Sequence, residues 1–213
     1  MSTFELLGST FGLSYLAGMR LYATVLALGL GVRFNLLHLP KSLSGLEILS
    51  HPAVLIAAGA AFAAEFVADK VPWFDSIWDG VHTFIRPIGA GLLGAAAFSE
   101  SMDPAARTVL AIMCGGVALA SHSAKAATRV VVNHSPEPFS NIGLSLLGDA
   151  AIPAGLWLAF SHPILMFVIV VIGVVAAVLL ARWIIGKLRT VFARLFNRPA
   201  NMESPYTARS VSR

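Results

Sequence analysis

Charge is what this sequence has least of. Only 12% of its 213 residues are Asp, Glu, Lys or Arg, and 57% are hydrophobic, whereas a soluble domain carries about 25% charged residues. That excludes a soluble globular protein. It also excludes a disordered chain, which needs low hydrophobicity and high charge. The single cysteine, Cys114, sits in an apolar run. It rules out an intrachain disulfide and a Cys-based zinc motif, and reads as a packing residue. The opening Met-Ser-Thr-Phe-Glu lacks positive charge and no small-x-small cleavage site follows, so the first apolar stretch reads as a retained membrane helix rather than a signal peptide. No Gly-x-Ser-x-Gly, His-Glu-x-x-His or Walker A motif occurs; these are the spacings that would position a nucleophile, a zinc ion or a nucleotide phosphate. The expectation is a protein that is not an enzyme, with no cofactor specified.

What the chain has in abundance is apolar runs near the roughly 20 residues that a spanning helix needs. Six segments qualify: Phe4 to about Val32, interrupted by Arg20; Pro52 to Ala68; Val81 to Phe98; Ala105 to about Val130; Asn141 to Phe160; and Pro163 to Ile185. The fold class expected is therefore all-α: a polytopic membrane bundle of about six transmembrane segments. The third is the weakest, with about 13 uncharged residues after Arg86, and is open to two arrangements, a full crossing or a re-entrant hairpin.

The net charge is +4, and the basic excess gathers at the end of the chain: Arg182, Lys187, Arg189, Arg194, Arg198, Arg209 and Arg213. By the positive-inside rule this end is cytoplasmic, and six crossings place the beginning of the chain there too. No basic, aromatic-interleaved soluble domain exists to hold nucleic acid. Residues 1–186 form the membrane domain. Residues 187–213 are expected to be a basic interfacial helix followed by a polar, disordered tail with Pro199 and Pro205.

An internal repeat is legible. Pro87-Ile-Gly-Ala-Gly-Leu-Leu-Gly-Ala-Ala96 aligns with Asn141-Ile-Gly-Leu-Ser-Leu-Leu-Gly-Asp-Ala150, six of ten positions being identical. The units run over about 52–98 and 106–160. Repeats with a binding site between them are a habit of transporters.

The polar residues fall on helix faces. Asp75, Asp79, His82 and Arg86 are spaced four, three and four apart; Glu65 and Asp69 four, with Lys70 adjacent; His122, Lys125 and Arg129 three and four; Asn141, Ser145 and Asp149 four and four. Residues at those intervals share one face. Charge at bilayer depth is costly, so such residues should face the bundle interior. Pairing is expected between Arg86 and Asp79 or Asp75, and between Asp149 and Lys125 or Arg129. Arg20, about 17 residues into the first segment, is expected to pair with a core carboxylate such as Asp149, because Gly18 allows close packing. Glu65, Asp69, Asp75 and Asp79 are the candidates for an oxygen-rich cation site. Lys70, Arg86, Lys125 and Arg129, with the helix start at Asn141, are the candidates for an anion site.

Three stretches carry a resemblance: Tyr22-Ala-Thr-Val-Leu-Ala-Leu-Gly-Leu30; Glu65-Phe-Val-Ala-Asp-Lys-Val-Pro-Trp-Phe-Asp-Ser-Ile-Trp-Asp79 with His82-Thr-Phe-Ile-Arg-Pro87; and His122-Ser-Ala-Lys-Ala-Ala-Thr-Arg129 with Asn133-His-Ser-Pro-Glu-Pro-Phe-Ser-Asn-Ile-Gly-Leu-Ser145. Over about residues 5–185 the chain resembles an uncharacterised bacterial inner-membrane family catalogued as domain of unknown function 4126. It departs from the pattern at Arg20, where a smaller polar residue is expected, and at Gly148-Asp149, where an acidic pair is expected. The resemblance implies an integral membrane protein and supplies no activity.

Together these readings give two expectations of function. The first is a small transporter or channel-like carrier whose pathway, between the repeats, is lined by Glu65, Asp69, Lys70, Asp75, Asp79, His82, Arg86, His122, Lys125, Arg129, Asn141, Ser145 and Asp149. Its partners would be membrane lipids and a small ion or polar solute, with self-association left open. The second is a lipid-binding or scaffold protein whose polar core is structural.

Overall fold

Five helices begin with proline, at Pro52, Pro72, Pro104, Pro138 and Pro163. Proline is pre-set for the first helical turn and lacks only an N–H that would have had no partner there. A computed structural model describes residues 2–68, 72–98, 102–133 and 138–196, with backbone alone at 72–73, 75–76, 130–133, 138–142, 191 and 194–196. Among these residues the chain is all-α: α1 (Thr3–Met19), α2 (Leu21–Arg33), a 3₁₀ helix (Lys41–Ser50), α3 (Pro52–Ala68), α4 (Pro72–Ala97), α5 (Pro104–Asn133), α6 (Pro138–Ser161) and α7 (Pro163–Phe196). Ser2 opens α1 with a capping box: its hydroxyl accepts from the Glu5 amide, and the Glu5 carboxylate accepts from the Ser2 amide at 2.6 Å.

Among the described residues three helical stretches are long and apolar enough to cross a membrane: Pro104–Arg129, Gly143–Ser161 and Pro163–Thr190. A fourth results if the 3₁₀ helix and α3, bent by 71° against each other, count as one span. The expected six is therefore too many, for two physical reasons. The third segment is the C-terminal part of α4, a continuous helix of 26 residues, about 39 Å at 1.5 Å per residue. It is no hairpin, but its polar stripe lowers its hydropathy below that of an ordinary span. The first segment is not one helix. It breaks at Arg20, which leaves helical geometry at φ −150° and ψ 91° and serves as both the last cap of α1 and the first of α2.

The break reverses the chain. Along α1, Gly8 meets Pro163, Gly12 meets Met166 and Tyr15 meets Gly173, so α1 runs parallel to α7. Along α6 the order is opposite: Ala159 faces Gly12, Gly155 faces Leu16, and Ser145 reaches Arg20. After Arg20, α2 turns back. Leu21 packs on Gly89, Gly29 lies against Leu49 and Leu55, and Gly45 in the same 3₁₀ helix lies against Ala96. Residues 23–30 also share a small cavity with Asp149, Ile152 and Pro153 of α6. So α2 climbs beside the end of the bundle from which α1 came down. The start of α1 and the end of α7 lie at opposite ends of the bundle, not at the same end as six crossings would require.

Helix α1 is the axis of the bundle. It buries Gly8 through Ser14 and Leu16 through Gly18, packing on α4, α5, α6 and α7. Small residues allow this approach, as is general for helices in lipid. A Cβ on Gly18 would collide with Ser121 Oγ and the Ala118 carbonyl. The buried hydroxyls of α1 and α2 satisfy themselves: Thr10 donates to the Leu6 carbonyl, Ser14 to Thr10, Thr24 to Arg20, and Ser9 across to Ala159 at 2.7 Å. Helix α7 continues through residue 186 to Phe196 without a break, so the basic segment expected from 187 is helical and continuous with it, and the polar tail expected after it lies outside the described residues. Trp183, Ile185, Leu188 and Phe192 are exposed there.

Candidate functional site

Two networks of buried charge flank the tip of the α1–α2 hairpin. Arg86, fully buried on α4, is the hub of the first. Its Nη2 donates to Glu65 Oε1 of α3 at 2.7 Å. Its Nη1 donates to Asp79 Oδ1 at 3.3 Å, to His122 Nδ1 of α5 at 2.5 Å, and to the Gly18 carbonyl at 3.5 Å. Lys125 Nζ stands 4.0 Å from Asp79 Oδ1. The four charges Glu65, Asp79, Arg86 and Lys125 balance, which offsets the cost of burying each alone. The Gly18 carbonyl belongs to the last turn of α1, where carbonyls lack helical partners and the helix dipole is negative. Arg86 there meets a backbone end as well as two carboxylates. Ser121 does similar work, donating to the Tyr15 carbonyl at 2.8 Å.

The neighbours of each histidine fix which ring nitrogen must carry a proton. Because Arg86 can only donate, His122 Nδ1 accepts, and its Nε2 carries the proton. That proton faces Thr83 Oγ1 and the Asp79 carbonyl, both at 3.1 Å. His82 has the opposite arrangement: Nδ1–H donates to the Trp78 carbonyl at 2.8 Å, and Nε2 meets Tyr22 OH at 3.2 Å. Its ring stacks on Trp78 with centroids 4.5 Å apart. His82 therefore borders the charge network without entering it.

Arg20 is the centre of the second network. Its side chain is 1% exposed. Nε lies 3.1 Å from Asp149 Oδ1, and Nη2 donates to the Ser145 carbonyl and Oγ at 3.0 and 2.9 Å. A Cβ on Gly148 would stand 3.3 Å from Arg20 Nε, so glycine there leaves room for the guanidinium. Below this pair opens a cavity of about 360 Å³ between α1, α5 and α6. Arg20, Lys125 and Arg129 line it together with Met19, Leu144 and Leu147.

Most of the residues singled out in the sequence converge here. Glu65, Asp79, His82, Arg86, His122 and Lys125 surround one side of the hairpin tip, Ser145 and Asp149 the other, and Arg129 lines the cavity. The expected Arg86–Asp79 and Arg20–Asp149 pairs form. Asp149 pairs with Arg20 at 3.1 Å. Asp69, Lys70 and Glu137 lie outside the described residues, and Asp75 and Asn141 are described by backbone alone. Among the described residues no group of three or more His, Cys, Asp or Glu is placed to hold a metal ion; Glu65 and Asp79 both turn to Arg86. Sequence reasoning passed over Tyr22 and Thr83. Both are uncharged, and their only signal was a place inside or beside the motifs.

The described residues define a class, an all-α bundle with apolar helices long enough to cross a membrane, closed around buried ion pairs, which is consistent with a membrane protein. The chain belongs to the family described as a domain of unknown function, DUF4126, which it matches over residues 7–183. No curated protein and no solved structure gives a significant match.

Proposed function

We propose that the protein is a small carrier or channel for an ion or polar solute in the bacterial inner membrane. The observation that carries this reading is the α1–α2 hairpin, which ends at Arg20 inside the bundle between two ion-pair networks. Irregular backbone at membrane depth is tolerated where protein buries it or a cavity lines it, and discontinuous helices in carriers put their ends at such sites. In this reading α3 to α7 cross the bilayer, and the hairpin enters and leaves by one face. The basic end of α7 is cytoplasmic by the positive-inside rule, so the hairpin enters from the periplasmic side and the cavity opens toward the cytoplasm. The pairs α3–α4 and α5–α6 are then parallel repeats with the core between them. The protein is not an enzyme, and lipid is its surrounding partner.

A second reading, a scaffold or lipid-binding protein with a structural core, draws on the charge balance of Glu65, Asp79, Arg86 and Lys125. Stopped-flow light scattering of proteoliposomes under osmotic gradients of salts and polar solutes separates the two. The carrier reading expects solute-dependent reswelling that Lys125→Arg reduces while the protein stays folded. The scaffold reading expects no solute to enter and every core substitution to lower only the unfolding temperature.

A further inference from the structure

We infer that the cavity beside Arg20 binds an anionic, phosphate-bearing group attached to an apolar body. The inference rests on the carrier reading only in taking the polar core as a place where a solute binds; it adds the class of that solute.

The argument starts from the sign of the walls. The charged side chains that line the cavity among the described residues are Arg20, Lys125 and Arg129, all basic. Arg20 and Arg129 are 1% and 4% exposed. The carboxylate paired with Arg20 does not line this space. Asp149 lines a separate, smaller cavity on the far side with Ala23 and Phe62. Asp79, 4.0 Å from Lys125, is likewise not part of the wall. The Arg20–Asp149 and Lys125–Asp79 pairs are therefore turned so that the basic member lines the cavity and the carboxylate does not. In a low-dielectric interior such an arrangement favours an anion strongly, because little solvent screens it.

Two arginines and a lysine suit a phosphoryl group, which offers several acceptor oxygens to guanidinium forks and an ammonium. The remainder of the wall selects the body of the ligand. Met19, Leu144 and Leu147 make most of the cavity apolar. A volume of about 360 Å³ lies in the range of small-molecule sites, roughly 300–1,000 Å³. A bare phosphate would leave the apolar part unfilled. A phosphate carried on an acyl or prenyl chain would fill both parts.

The test is thermal unfolding and calorimetric titration of the full chain in detergent. The probes are dihexanoyl phosphatidic acid, inorganic phosphate, and dihexanoyl phosphatidylcholine as the zwitterionic control. Binding of phosphatidic acid well above that of inorganic phosphate supports the inference, and comparable binding of inorganic phosphate overturns its apolar body and leaves a site for free phosphate. Either binding should weaken about tenfold or more in Lys125→Gln and in Arg129→Gln, since one charged contact is lost. It should be unchanged in Lys187→Gln, a charge removed from the exposed end of α7. If Arg129→Gln fails to fold, Lys125→Gln decides, its side chain being 13% exposed against 4% for Arg129. No binding by either phosphate probe overturns the inference, as does binding that Lys125→Gln leaves intact or that phosphatidylcholine matches. Binding without solute flux in proteoliposomes would keep this inference and defeat the carrier reading. Cation flux without phosphate binding would do the reverse.

Discussion

Arg20 and Asp149 meet at 3.1 Å across the tip of a helical hairpin, and the residue that breaks the helix is the residue that makes the pair. Its backbone turns α1 into α2, while its side chain ties the turn to α6. The break and its anchorage are thus one feature.

Removing one partner should cost more than removing both. Arg20→Leu leaves Asp149 without its guanidinium, and breaking a buried pair costs about 3–5 kcal/mol. Asp149 is 20% exposed, so the lower end of that range is expected. The double variant Arg20→Leu/Asp149→Leu should recover part of the loss, because apolar replacement of both members is often neutral. Thermal unfolding in detergent measures this. Additive losses would mean that the two side chains do not act as a pair.

A double-mutant cycle tests the Arg86 hub. Glu65→Gln and Arg86→Met should each destabilise, and their effects should couple, contacting residues commonly showing about 0.5–3 kcal/mol of interaction. Coupling near zero would contradict the 2.7 Å contact.

Glycine substitutions should separate close approach from open surface. Gly18→Ala drives a Cβ into Ser121 and the Ala118 backbone, and overpacking of this kind costs about 1–3 kcal/mol. Gly116→Ala meets nothing within 4 Å and should be neutral or raise stability by up to about 1 kcal/mol, the helix-propensity difference. Equal effects at the two sites would remove Gly18 from the α1–α5 interface.

The site was more legible in the sequence than the topology. Charge in an apolar chain is conspicuous, and the three- and four-residue spacings of Asp79, His82 and Arg86 fix one helix face whatever the helix does. Arg20 was legible for the same reason: a lone charge in an apolar run must find a partner. The reversal at Arg20 was not legible. Leu21–Arg33 is as apolar as α1, the break contains neither proline nor glycine, and periodicity does not record direction. The span of α4 was hidden for the opposite reason, since the residues that build the core dilute its hydropathy. Tyr22 and Thr83 act through single hydroxyls that carry no pattern.

The most direct measurement is the sidedness of three introduced cysteines. On a Cys114→Ala background, Thr3→Cys, Leu36→Cys and Thr190→Cys would be labelled with a membrane-impermeant maleimide in right-side-out and inside-out vesicles. A hairpin that returns at Arg20 places residues 3 and 36 on one face and residue 190 on the other. Labelling of 3 and 190 from the same face, with 36 opposite, would mean that the first segment crosses the membrane and would contradict the hairpin.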